Sequence, residues 1–261
     1  MKLPVNTWTK LLSYLVKAPV SRSESINDGA LYVDLVKGRL QLSTDHAVYS
    51  FDDKYDNFVK ALKAVKADLF RNKSILVLGG GLGSIPYILE KNHQFQGELT
   101  MVENDPAVIR LFLEYSLPRM NTLIDIRESD AIIFMEQNSR KYDMIIVDLF
   151  IDDTVPDQFL EADFLMLCKD NLVKGGLVLF NWMTVTKVQT QNYKDYRDMI
   201  FNEIMDHPLE VKTKYNHILV GYSFPLFQAV NPQFPGILWL RAITEVALTL
   251  IIISLWDFRE V

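Results

Sequence analysis

The residue types that could do chemistry gather at the ends of successive apolar runs. Gly79-Gly80-Gly81-Leu82-Gly83-Ser84 follows Ser74-Ile75-Leu76-Val77-Leu78, and Glu103 closes the next run, Glu98-Leu99-Thr100-Met101-Val102, at the spacing of a nucleoside-binding βαβ unit. Glycines there let the chain turn sharply and bring backbone N–H groups close to a ligand, while an acid at the second strand's end can accept both ribose hydroxyls. Adenosine is the ligand this pattern predicts. Two more acids hold equivalent places: Asp130, in Asp130-Ala131, and Asp148, after Asp143-Met144-Ile145-Ile146-Val147. In an open α/β sheet, ligands bind beyond the carboxyl ends of the strands. Glycine clusters also make plain turns and acids also cap helices, so each residue alone has a structural reading. Four such features at successive strand ends point to one crevice.

Asp130, after the third strand, is placed to accept a hydrogen bond from an adenine exocyclic amine. A sulfonium needs no pyrophosphate cradle and is favoured by nearby carboxylates, so a pocket richer in acids than in Lys or Arg suits a sulfonium nucleoside better than NAD.

The elements that must hold these residues follow from periodicity. Ala30–Val36, Lys37-Gly38 and Arg39–Ser43 alternate as a β-hairpin turning at the glycine, so the first quarter reads as a small β-rich domain. Apolar positions from Tyr55 to Phe70 recur at three and four, the stripe of an amphipathic helix. From Ser74 the pattern repeats as strand, turn and helix, with strands at 75–78, 99–102, 122–126 and 144–147, which implies an α/β fold on a parallel sheet. Asp105-Pro106 is a helix start, and Gly175-Gly176 is expected to end a helix and lead into the buried strand 177–180. A helix around 193–205 and a strand over 217–222 complete the pattern. The expected divisions are a β-rich domain at 1–53, a Rossmann-like nucleoside-binding domain at 54–224, and an apolar extension at 225–261 that packs on the sheet or forms a subunit contact.

Composition bounds the partners. The chain has 261 residues, 49% of them hydrophobic, and a net charge of −6, with no Lys/Arg block of the kind that contacts nucleic acid. A single cysteine, Cys168, excludes an intrachain disulfide and reads as a small buried hydrophobe. His46, His93, His207 and His217 show no ligand-like or triad-like spacing, and no metal is expected. The N-terminal residues lack a signal-peptide core, so a cytoplasmic location is expected. Gly236–Trp256 contains Arg241 and Glu245, leaving a charge-free stretch too short to span a bilayer.

From Lys37 to Trp182 the chain resembles the spermidine synthases, the polyamine aminopropyltransferases of the class I S-adenosylmethionine-dependent methyltransferase-like fold. Lys37-Gly38-Arg39-Leu40-Gln41 is similar to the family's D-G-x-x-Q hairpin, and Asp52-Asp53-Lys54-Tyr55 to its D-E-x-x-Y element. Gly79–Gly83 resembles the G-G-G-D-G loop, and Val102-Glu103-Asn104-Asp105 with Leu117-Pro118 resembles V-E-I-D with its downstream L-P. Asp130-Ala131 matches the adenine contact, and Tyr142–Asp148 matches Y-D-x-I-I-x-D. The resemblance implies a small N-terminal β-hairpin domain on a seven-stranded, mostly parallel Rossmann-like sheet, often dimeric, that binds S-adenosylmethionine, its decarboxylated form or methylthioadenosine. Gln41, Gly79, Gly80, Gly81, Gly83, Glu103, Asn104, Asp130 and Ala131 are then the nucleoside-binding candidates. Transfer from a sulfonium requires alignment and deprotonation of an amine, which assigns Asp148 as base and Tyr55 as the group that orients the acceptor.

Three departures fall on residues that handle the amines. Leu82 stands where the family loop has Asp, Lys37 replaces the hairpin Asp, and Leu149–Pro156 replaces the S-S-D-P-x-G-P gatekeeping loop. Three functions follow as expectations. The first is an S-adenosyl-nucleoside-dependent transferase, homodimeric, acting on an unidentified amine-type acceptor. The second is true aminopropyl transfer from donor to putrescine, with Asp148, Asp152 and Asp153 replacing the missing acids. The third is a non-catalytic scaffold whose crevice is blocked by Leu82 and Phe150.

Overall fold

The computed structural model describes residues 5–223, apart from 28 and 46. The subunit-contact expectation for 225–261 therefore falls outside the described residues. A short helix, α1 (Thr7–Leu12), precedes an antiparallel four-stranded sheet of β1 (Ala18–Ser25), β2 (Gly29–Val36), β3 (Arg39–Ser43) and β4 (Val48–Ser50). The predicted hairpin is the β2–β3 pair, and its turn takes left-handed backbone at Lys37 (φ 49°) and Gly38 (φ 76°). The flanking strands β1 and β4 carry little alternation that sequence periodicity could detect.

The chain then enters α2 (Asp56–Ala64), β5 (Ser74–Leu78), α3 (Ser84–His93), β6 (Glu98–Glu103), α4 (Pro106–Leu111) and β7 (Ile124–Glu128). It continues through α5 (Ala131–Gln137), β8 (Tyr142–Val147), α6 (Ala162–Asp170), β9 (Leu172–Met183) and α7 (Lys187–Tyr196). A one-turn helix α8 (Asn202–Ile204) leads into β10 (Asp206–Lys212) and β11 (Asn216–Tyr222). These strands form a seven-stranded sheet in the order β10-β11-β9-β8-β5-β6-β7, parallel from β9 to β7 and antiparallel at β10 and β11.

Successive residues of β5 feed opposite faces: Leu76 and Leu78 pack with Val102, Ile145, Val147 and Phe180, whereas Ile75 and Val77 pack with Met101, Ile146, Phe58 and Leu62. The sheet is thus buried on both sides, as the continuous apolar runs demand. Because β6 and β8 lie on either side of β5, a crevice opens at the carboxyl end of β5, where the order reverses.

Local structure departs from the sequence pattern in four places, one being that the helix expected around 193–205 begins earlier, at Lys187. The helix expected over 55–70 stops at Ala64, because Lys66 is left-handed (φ 52°), and resumes as a single tight turn at 67–70. Gly175 and Gly176 lie inside β9 rather than at a helix end. Gly175 (φ 79°) marks the site where the β8–β9 register shifts, and α6 has already ended at Asp170. The edge strand β10, with exposed Leu209 and a proline, gave no alternating signal and was not predicted.

One buried ion pair ties the small sheet to the large one. Asp52 (φ 38°), between β4 and α2, accepts from Arg119 at 3.0 and 2.7 Å and from the backbone N–H of Leu40 at 2.9 Å. Both side chains are below a tenth exposed, and the guanidinium lies 4.8 Å from the centre of the Tyr87 ring. Removing one partner of a buried pair leaves an uncompensated charge. Asp52→Asn keeps a residue that tolerates left-handed backbone. It is expected to destabilise the fold by about 3–5 kcal/mol in denaturant titration, with the double variant Asp52→Asn/Arg119→Met recovering part of the loss.

Candidate active site

The crevice contains one cavity walled by all four predicted strand ends: Gly79 and Gly81 from the loop after β5, Glu103, Asn104 and Asp105 after β6, Ser129, Asp130 and Ala131 after β7, and Asp148 after β8. Tyr49, Tyr55 and Asn57 come from the N-terminal side, and Phe150, Ile151 and Asp152 from the loop after β8. Gly80 and Gly83 belong to the glycine loop but do not line the cavity, and neither does Gln41, which faces Asp34 across the β2–β3 ladder. Lys37 stays at the hairpin turn, away from the crevice.

Two glycines are required by close approach. A side chain at Gly79 (φ 89°) would put Cβ 2.1 Å from the carbonyl oxygen of Asp148, and one at Gly83 (φ 78°) would put it 2.4 Å from the Phe112 ring. The first contact is what allows the β5 loop to lie against Asp148.

Asp148 is the centre of the site. Its Oδ2 accepts from the Tyr55 hydroxyl at 3.0 Å and its Oδ1 from Asn181 Nδ2 at 2.7 Å. Burial outweighs these bonds, and Glu103 adds like-charge repulsion, so its pKa is pushed up to about 7. Tyr55 is half-buried next to Asp148, and desolvation together with that acid pushes its hydroxyl well above the usual phenol range and keeps it a donor. The sequence-predicted pair is therefore in direct contact. Asn181, buried in β9, was not identified from sequence: an asparagine inside an apolar strand is the one signal that could have pointed to it.

Glu103 is used differently from expectation. Oε2 accepts from the N–H groups of Gly80 (3.0 Å) and Gly81 (3.2 Å), and Oε1 from those of Asn104 (2.9 Å) and Asp105 (3.1 Å). Its four acceptor positions are filled by backbone donors, so the glycine N–H groups expected to face a ligand face this carboxylate instead. Burial still raises its pKa, against the lowering effect of those bonds. Asp130 caps α5 through Oδ1, accepting from Ile132 (2.8 Å) and Ile133 (3.2 Å), while Oδ2 meets Gln158 at 3.3 Å. The cap reading and a place in the cavity wall thus hold together. Asn104 accepts a bond at 3.3 Å from Asn27 at the β1–β2 tip, also a lining residue.

The departures from the family pattern separate. Leu82 is 2% exposed and packs with Leu31, Val33, Leu40 and Val108, so it does not plug the cavity. Phe150 does form part of the wall. Of the two acids after β8, Asp152 lines the cavity and accepts from Thr44 at 2.8 Å, whereas Asp153 binds Gln189 on α7. Among the described residues, no group of three or more His, Cys, Asp or Glu is arranged to hold a metal, and no helix is long and apolar enough to cross a membrane.

A glycine turn at a strand-order reversal, in a seven-stranded, mostly parallel sheet, defines a methyltransferase-like α/β fold. Solved structures agree: a probable spermidine synthase from Corynebacterium glutamicum superposes with a TM-score of 0.61 at 19% identity, covering 83% of each chain. Human methyltransferase-like protein 13, in complex with SAH, superposes at 0.52 and 19% identity over 66% of this chain and 86% of its own. The sequence profile of the spermine/spermidine synthase domain matches residues 57–223, and the chain belongs to that family. A polyamine aminopropyltransferase of Vibrio vulnificus is 25% identical over 164 residues, 61% of this chain and 54% of the relative, so the match spans about half of that protein's length.

The raised Asp148 pKa has a consequence for stability. Between the ordinary carboxylate value and about 7, the folded state holds a proton that the unfolded state releases, so stability is full in acid and falls as pH rises through 7. Asp148→Asn removes this dependence. Its melting temperature relative to the wild type is expected to rise between pH 5 and pH 8, and an unchanged difference would refute the assignment.

Proposed function

We propose that this chain transfers an aminopropyl group from a decarboxylated S-adenosyl donor to an amine acceptor of the polyamine class. The observation that carries this reading is the Tyr55–Asp148 contact at 3.0 Å in a cavity whose charged lining residues are all acids: Glu103, Asp105, Asp130, Asp148 and Asp152. Such a lining favours cations and disfavours a donor carrying a carboxylate. Among the described lining residues there is no Lys, Arg or His to meet one, and the Gly80 and Gly81 N–H groups are already engaged by Glu103. The family membership and the half-length match to polyamine aminopropyltransferases support the same class of reaction.

When bound, the donor would supply an electrophilic carbon beside a sulfonium, with a neutral thioether as leaving group. The residues of the chain would do the rest. Asp148, with a pKa near neutrality, is suited to accept a proton from an ammonium and release it to solvent. Tyr55 remains a donor and fixes the acceptor's approach, so that proximity and alignment lower the barrier. Asp152, at the wall formed by the loop after β8, gives a second ammonium of the acceptor a partner. Asp130 and Asn104 offer polar contacts to a base, and Ala131 leaves room beside it.

Calorimetric titration tests the donor. The decarboxylated sulfonium is expected to bind at least about tenfold tighter than S-adenosylmethionine, in line with loss of an unpaired buried charge. Equal or reversed affinities would argue for methyl transfer. With a diamine acceptor, kcat/KM should rise through about pH 7 and level off above it. Asp148→Asn should lower kcat by about 10²–10⁴-fold, the range for loss of a general base.

A further inference from the structure

We infer that Asn216 is a positioning residue: its side-chain amide fixes which way the buried Asn181 amide points, and Asn181 in turn presents an N–H to the Asp148 carboxylate. This inference rests on the reading of Asp148 as the base. Asn216 Nδ2 donates to Asn181 Oδ1 at 3.1 Å, Asn181 Nδ2 donates to Asp148 Oδ1 at 2.7 Å, and Tyr55 donates to Asp148 Oδ2 at 3.0 Å. All bonds of the chain run toward the carboxylate.

The geometry makes the first amide a lever on the last acid. A primary amide has donors at one end and an acceptor at the other, so turning Asn181 over would reverse both of its contacts. Its oxygen would then face Asp148, which could complete the bond only by carrying a proton. The orientation of Asn181 and the protonation of Asp148 are therefore coupled. Asn181 is 1% exposed, leaving water no opportunity to substitute for a lost partner.

The lever is firmly mounted. On the β9–β11 ladder Asn216 pairs with Met183 and Asn181 with Ile218, which makes the two asparagines diagonal neighbours on one face. Asn216 closes the turn into β11 through its backbone: its N–H donates to Thr213 Oγ1 at 3.1 Å, and its carbonyl accepts from Thr213 N–H at 2.8 Å. Side-chain substitutions leave those bonds in place. The titratable groups acting on Asp148 are Tyr55 from the start of α2 and Glu103 from the end of β6, while β9 presents the neutral amide of Asn181. The adjacent His217 is turned to Glu210. From the β9–β11 side, amide polarity is the influence that reaches the base.

The test compares Asn216→Leu and Asn216→Asp in the full chain. Leucine removes the donor without adding charge, and aspartate presents acceptors that require Asn181 to turn over. Two readouts are taken: the pH profile of kcat/KM, and the carboxyl stretch of Asp148 by infrared spectroscopy of protein carrying ¹³C-labelled aspartate, with Asp148→Asn subtracted. In both variants the acidic limb and the infrared titration should move upward together, by about half a unit for leucine and one unit or more for aspartate. Rate loss uniform across pH, with the infrared midpoint unmoved, would reduce Asn216 to a structural role and overturn the inference. A shift with aspartate alone would also overturn it, since added charge then suffices. If the wild type shows no transfer at all, the proposed function fails, and the infrared midpoints still decide the relay.

Discussion

A carboxylate half withdrawn from water is met by donors or takes up a proton, and Asp148 is held between these two outcomes. Two neutral donors, Tyr55 and Asn181, meet its oxygens, yet burial and the nearby Glu103 still push its pKa to about 7. An arginine in place of either donor would have fixed the acid as a permanent anion. The choice of a phenol and an amide leaves it able to exchange a proton at neutral pH, which is the property that amine chemistry needs.

Reaching that balance requires elements far apart in the chain to meet. Asp148 is delivered by β8 and pressed against the glycine turn, where only Gly79 allows the backbone contact. Tyr55 comes from the junction after the small sheet, three residues beyond Asp52. The Asp52–Arg119 pair fixes that junction against the segment after α4. Ser50 and Ser84, whose hydroxyls are 2.7 Å apart, add a second link between β4 and the start of α3. Rigidity of the seam between the sheets is thus transmitted to the position of one phenolic oxygen.

Much of this was legible in the sequence because the parallel strands are continuous apolar runs and the chemistry sits at their ends. That rule singles out Glu103, Asp130 and Asp148, and the crevice brings all three into one cavity wall. What the sequence concealed depends on contacts across the chain. Nothing local tells that Glu103 accepts from four backbone N–H groups, or that Gln41 lies outside the cavity wall while Asn216 bonds Asn181 and Asn181 bonds Asp148. The glycines at 175 and 176 read as a helix stop because local propensity cannot distinguish that from an irregularity inside a strand. Exposed edge strands such as β10 lack the alternation that burial imposes, and so left no pattern to read.

Leu82 occupies the place where the resembled loop carries an acid, and here that position has become part of the hydrophobic seam with Leu31, Val33, Leu40 and Val108. An aspartate here would put an ionisable group among these apolar side chains. An acid at this position would require its neighbours from β2, β3 and α4 to change with it. The negative charge of the cavity wall is accordingly carried by Glu103, Asp105, Asp130, Asp148 and Asp152, none of which belongs to the glycine loop.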